Sequence, residues 1–165
     1  MTEDEILALP YRPCVGVMVV NPQGLIWVGK RIDNPGNAWQ MPQGGIDPGE
    51  PARDAAFREL EEETSIPGNA VELLAESGDW VRYDLPFDLV PKLWKGRYRG
   101  QAQKWFLMRY DGPNDAVRID TEIPEFSHWS WMGYDDVLNA IVPFKRHVYA
   151  AVWKEFGPLV QEMQA

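Results

Sequence analysis

A single cysteine, Cys14, among 165 residues excludes an intrachain disulfide and fits a reducing compartment. Basic residues are scarce: 16 Lys and Arg stand against 25 Asp and Glu, for a net charge of -9. Nothing global therefore attracts nucleic acid or an anionic membrane, and a polyanionic substrate must be met by a local positive patch or by metal. Histidine occurs twice, as His128 and His147, with no motif around either, and no Ser-His-Asp arrangement is visible. Both histidines are expected to be structural. The longest obvious apolar run, VGVMVV, is far too short to cross a bilayer. The opening MTEDEILALP lacks the basic and apolar segments of a signal peptide. Repeats, low-complexity tracts and linkers are also missing. These absences give the expectation of a soluble, cytoplasmic protein with one domain over residues 1–165.

What is present is an ordinary globular balance, 45% hydrophobic and 25% charged. CVGVMVV and LIWVGKR flank the turn sequence NPQG and predict a β-hairpin. DNPGN reads as a loop. AVELLAES and DWVRYDL read as strands, KWFLMRY as a strong one, and HWSWM as a short further one. PFDLVPKLWKGRYRGQ is a long loop between them. Residues 51–64 predict a helix, opened by Pro51 and stopped before Pro67 and Gly68. A short helix is expected over 134–141. Phe144, Val148, Val152 and Phe156 recur every four residues and predict an amphipathic C-terminal helix. Strands mixed with two or three helices indicate a layered α/β domain.

The stretch GGIDPGEPARDAAFRELEEET packs Glu59, Glu61, Glu62 and Glu63 into five positions. Like charges this close repel. At about 100° per residue, Glu59, Glu62 and Glu63 share one helix face and Glu61 points elsewhere. Ala56, Phe57 and Leu60 form an apolar stripe that can anchor the helix to a core. Arg58 stands four residues before Glu62 and can partly neutralise it. Three convergent carboxylates are hard oxygen ligands, suited to Mg²⁺ or Mn²⁺, and a divalent ion would offset their repulsion. The plain alternative is a solvated acidic face.

From Gly44 the chain continues with Glu50, Arg58-Glu59-Leu60, Glu62-Glu63 and Ser65-Ile66 at fixed spacing. This run, residues 44–66, resembles the Nudix box, the loop–helix–loop of the Nudix hydrolases, with one departure: serine at position 65 where the pattern has glycine. The resemblance implies the Nudix fold, an α/β/α sandwich with a mixed sheet. It implies metal ligation by Glu59, Glu62 and Glu63, with Glu62 or Glu63 also the base for the attacking water. The backbone of PQGG, at Gln43 or Gly44, would approach the same metal. Gly44, Gly45, Glu50 and Arg58 would be structural, with Glu50 and Arg58 pairing to hold the loop on the helix.

YRPCVG, WQMPQGGI, GQAQKWF, PEFSHWSW and PFKRHVY extend the resemblance over most of the chain. They are similar to the Nudix branch that contains bacterial RNA pyrophosphohydrolase and dinucleoside polyphosphate hydrolases. That likeness implies a further metal carboxylate at Glu125, with Glu122 an alternative. It also implies phosphate or base contacts from Arg12 and Arg31, a base pocket at Phe144 and Lys145, and substrate contact from Tyr83. Read singly, these residues are equally a core aromatic, a strand tyrosine and solvated cations. Between Lys92 and Lys104 the charge inverts: Lys92, Lys95, Arg97, Arg99 and Lys104 occur with Trp94 and Tyr98 and no acidic residue. Such a stretch can bind phosphates and stack bases, or be a solvated loop. The expected activity is Mg²⁺-dependent removal of pyrophosphate from 5′-triphosphorylated RNA. Hydrolysis of dinucleoside polyphosphates such as diadenosine tetraphosphate is the near alternative, and a non-catalytic nucleotide-binding module the distant one.

Overall fold

The computed structural model describes residues 1–34 and 36–164. Pro35, in the middle of the DNPGN loop, lies outside them. The elements in chain order are α1 (Glu3–Leu7), β1 (Tyr11–Val20), β2 (Ile26–Arg31), β3 (Trp39–Gln40), β4 (Gln43–Gly45), α2 (Ala52–Thr64), β5 (Val71–Glu76), β6 (Val81–Asp84), β7 (Gly100–Tyr110), β8 (Phe126–Met132), α3 (Tyr134–Ala140) and α4 (Arg146–Met163).

One mixed sheet organises them. Its main path runs β3-β2-β1-β7-β5, with β4 paired to β1, β6 to β7 and β8 to β2. β1 and β7 are parallel and in register from Tyr11–Gly100 to Val20–Arg109; the other pairings are antiparallel. Strands buried on both faces read as unbroken apolar runs, and β1 does so because successive side chains enter different cores. Val15, Val17 and Val19 pack with Ala55, Ala56 and Leu60 of α2. Met18 and Val20 pack on the opposite face with Val148, Tyr149, Val152 and Phe156 of α4. A helical layer on each side of the sheet completes the α/β/α sandwich.

The predicted hairpin forms only at its turn. β1 and β2 pair at Val20–Ile26 and then part, because β1 gives its edges to β7 and β4. The long loop contains two 3-10 turns, Val90–Lys92 and Trp94–Gly96. The C-terminal helix begins at Arg146; Phe144 belongs to the 3-10 turn Pro143–Lys145 that precedes it.

Candidate active site

α2 forms where predicted, with Leu60, Ala55 and Ala56 buried against the sheet. That anchoring directs Glu59, Glu62 and Glu63 into an open cleft of about 840 Å³, which Arg12, Arg31 and Glu125 also line. Glu61, expected to point elsewhere, also borders the cleft, because the opening extends around the exposed side of the helix as far as Ser65. Glu122 is there as well, so both candidates from the 117–125 segment reach the site.

Arg58 ties the loop to the helix. It donates through Nε and Nη2 to the Glu50 carboxylate, both at 2.9 Å, and through Nη2 to the Gly45 carbonyl at 2.9 Å. Its Nη1 reaches Glu59 at 2.9 Å and Glu62 at 3.3 Å. Glu50 also accepts the Asp47 N–H at 3.0 Å. The guanidinium, helped by that N–H, holds the Glu50 carboxyl down at about 2. The glycines of β4 permit close approach: a Cβ on Gly44 would stand 2.0 Å from the Glu59 carboxyl carbon, and one on Gly45 2.4 Å from an Arg12 nitrogen.

Glu63 is the most enclosed carboxylate, 4% exposed, and accepts the Gln43 N–H at 3.1 Å. Burial, with Glu125 and Glu59 nearby, raises its pKa well above the ordinary range. Burial also lifts Glu59 to about 7, although Arg58 pulls the other way. Among the described residues no three His, Cys, Asp or Glu side chains are already gathered closely enough to hold an ion. The donor set nevertheless fits a hard divalent cation. The buried Glu63 has no cation beside it, half-buried Glu59 shares Arg58 with Glu50 and Glu62, backbone meets Glu59 at Gly44, and the buried Thr121 Oγ1 at the cleft lacks a hydrogen-bond partner.

The proposed substrate residues divide into two groups. Arg12 and Arg31 border the cleft. The Arg12 guanidinium lies 5.2 Å from the Trp94 ring centroid, while Arg31 forks onto Asp33 and donates to Gln40 at 3.1 Å. Tyr83, Phe144 and Lys145 form a cluster outside the cleft lining: the Tyr83 and Phe144 rings are 6.0 Å apart, and the Lys145 ammonium is 5.4 Å from the Tyr83 centroid. Burial, with the nearby Arg31 charge, lowers Lys145 to about 8. Tyr83 is 3% exposed and donates its hydroxyl to Gln101 at 2.7 Å. It therefore reaches the cleft through Gln101, which borders it. Gln103 donates to Gln101 and Gln43, both at 3.1 Å, extending the polar floor.

Gln40, Gln101 and Thr121 were missed by sequence reasoning. The available signal was the alternating pair Gln101 and Gln103 at the start of the strand GQAQKWFLMRY. Of the basic stretch, Trp94 reaches the cleft, whereas Arg99 is engaged by Asp84 at 2.5 Å. His128 and His147 do not border the cleft.

A NUDIX domain model matches residues 10–152. The chain belongs to the Nudix family. It is 60% identical over 156 residues to an RNA pyrophosphohydrolase of Roseobacter denitrificans, covering 94% of this chain and 98% of the relative. The fold resembles that of a C. elegans Ap4A hydrolase binary complex, with a TM-score of 0.66 at 18% identity, over 89% of this chain and 98% of that one. It also resembles a Francisella tularensis bifunctional NMN adenylyltransferase/ADP ribose pyrophosphatase complexed with AMP and Mn ion. There the TM-score is 0.59 at 19% identity, over 89% of this chain and 42% of that one. Nudix hydrolases generally use divalent metals. No helix among the described residues is long and apolar enough to cross a membrane.

Proposed function

We propose that this Nudix hydrolase removes pyrophosphate from the 5′ end of triphosphorylated RNA, in the cytoplasm, with residues 1–165 acting as one domain. The observation that carries the reading is the 60% identity, over nearly the whole of both chains, to an RNA pyrophosphohydrolase. The cleft supports it by bringing carboxylates and arginines together, as a triphosphate and its metal require.

Glu59, Glu62, Glu63 and Glu125 would hold Mg²⁺ or Mn²⁺, with backbone at Gln43 or Gly44 alongside. A bound divalent ion supplies charge neutralisation on the phosphates and a water of lowered pKa. Glu62 or Glu63 takes the proton of the attacking water. Water adds to one phosphorus of the α–β anhydride, the bridging bond breaks, and the products are pyrophosphate and a 5′-monophosphate. Arg12 and Arg31 orient phosphate oxygens, with Trp94 holding the Arg12 guanidinium. Phe144 and Lys145 receive the first base, and Tyr83 fixes Gln101 at the polar floor.

The test is side-by-side kinetics on triphosphorylated RNA and diadenosine tetraphosphate with Mg²⁺. The proposal expects a higher kcat/KM on RNA with pyrophosphate released. Preference for the dinucleotide would move the assignment to that substrate, and no turnover on either would leave only a binding module.

A further inference from the structure

We propose that Ser65 is a positioning residue that sets where Glu125 stands in the cleft, by fastening the 117–125 segment to the C-terminal end of α2. The proposal rests on the reading of Glu125 as a metal ligand. Ser65 occupies the position where the Nudix pattern has glycine, and its backbone is left-handed, φ 66° and ψ 8°. Glycine adopts that conformation without the steric penalty of a Cβ. What serine adds is a hydroxyl, which donates to the Arg118 carbonyl at 3.0 Å.

The Arg118 N–H donates in turn to the Thr64 carbonyl at 2.9 Å, so residue 118 is held from both sides by the last residues of the acidic helix. Thr64 is a firm anchor: it is fully buried, donates its hydroxyl to the Leu60 carbonyl at 2.7 Å and accepts the Ile66 N–H at 3.2 Å. From Arg118 the chain runs along the cleft and presents Thr121, Glu122 and Glu125 to it. Among the described residues, no backbone N–H from Ile119 to Glu125 donates to a backbone carbonyl. The far end is fixed by the Ile32 N–H, which donates to the Glu125 carbonyl at 3.1 Å. Between the ends Ile119 packs against the core under α2, and beyond it the course of the span is set chiefly by its two ends. The Ser65 hydroxyl is the side-chain part of the first one.

The experiment measures Mn²⁺ binding to the substrate-free protein by electron paramagnetic resonance, with turnover and melting temperature alongside. The proteins are the parent, Ser65→Gly, Glu125→Gln and the double variant. Ser65→Gly should keep or raise the melting temperature, since glycine relieves the left-handed residue. Its Mn²⁺ affinity and kcat should fall about tenfold, the low end for losing a group that supports a ligand. In the Glu125→Gln background, the same change should cost less than about twofold, because two groups acting through one contact are not additive. Full Mn²⁺ binding in Ser65→Gly beside impaired binding in Glu125→Gln would overturn the role of Ser65 alone. Normal binding and turnover in Glu125→Gln would remove the metal reading of Glu125 and the proposal with it. A large drop in melting temperature for Ser65→Gly, or equal losses with and without Glu125, would show that Ser65 serves the fold instead.

Discussion

Glu63 has a backbone N–H for a partner and, among the described residues, no cation within ion-pair distance. Glu63→Gln keeps the shape and removes one buried negative charge. Turnover should fall about 10²-fold or more, as for loss of a metal ligand. In chelator the melting temperature at alkaline pH should stay level or rise, since glutamine cannot ionise in that buried position. Near-normal turnover at saturating Mg²⁺ would remove Glu63 from the metal set. Arg58 predicts the opposite combination. Its guanidinium serves Glu50, the Gly45 carbonyl, Glu59 and Glu62 together. Arg58→Ala should cost about 2 kcal/mol of stability, discounted for its partial exposure, and should lower activity as well. Denaturant unfolding and a turnover assay check both halves. The Glu50–Arg58 pair followed from the resemblance, and the Arg58–Glu62 contact from spacing alone. Gln101 did not, because a polar residue in a strand that also carries Lys104 and Arg109 does not show on its own that it is buried or which group it meets.

At the scale of the element, α2 was the most legible part of the sequence. Its apolar stripe has helical spacing, and its carboxylates follow from the same period. β4 was not legible: it has three residues, two of them glycines, and owes its existence to β1. The cleft's reach around to Glu61 also escaped the helix phase, because a cavity's width depends on the segment opposite. Glu61 is exposed and has no ion pair among the described residues, so Glu61→Ala should leave turnover within about twofold. An effect as large as that of Glu63→Gln would mean that the metal face of the helix is misassigned. The helix also predicts a pH dependence. Glu59 and Glu63 have raised pKa values, so metal-free protein binds more protons folded than unfolded. Their stabilising contribution is complete below about pH 4.5 and is lost as pH rises, through about 7 for Glu59. Glu50 has the opposite sign: its contribution is present above about pH 4.5 and is lost as pH falls toward about 2. Melting temperature in chelator should therefore fall between pH 5 and pH 8, and saturating Mg²⁺ should remove most of the fall. A flat profile in chelator would show that the α2 carboxylates ionise freely without metal.

Across the whole molecule, sequence patterns gave most strands and helices but not their partners. The parallel β1–β7 ladder joins segments some ninety residues apart, and no local turn signal records it. The ladder also explains why the expected hairpin survives only at its turn. Charge poses a similar long-range problem, since a chain of net charge -9 must receive a polyanion. The cleft offers Arg12 and Arg31, and beyond it Lys92, Lys95 and Arg97 are exposed, with no ion pair recorded among the described residues. If these three meet the RNA backbone past the 5′ end, kcat/KM on triphosphorylated RNA falls as salt rises. Each lost phosphate contact then lowers the log–log slope by about 0.7. Replacing Lys92, Lys95 and Arg97 together by alanine should reduce the slope by up to about 2. Melting temperature and Mg²⁺ dependence should be unchanged, because none of the three packs in the core or borders the carboxylates. Diadenosine tetraphosphate has no backbone beyond its second nucleoside, so its turnover should hardly respond to the triple change. An unaltered slope on RNA would make the stretch a solvated loop. An equal loss on both substrates would place its cations at the polyphosphate itself rather than along the RNA.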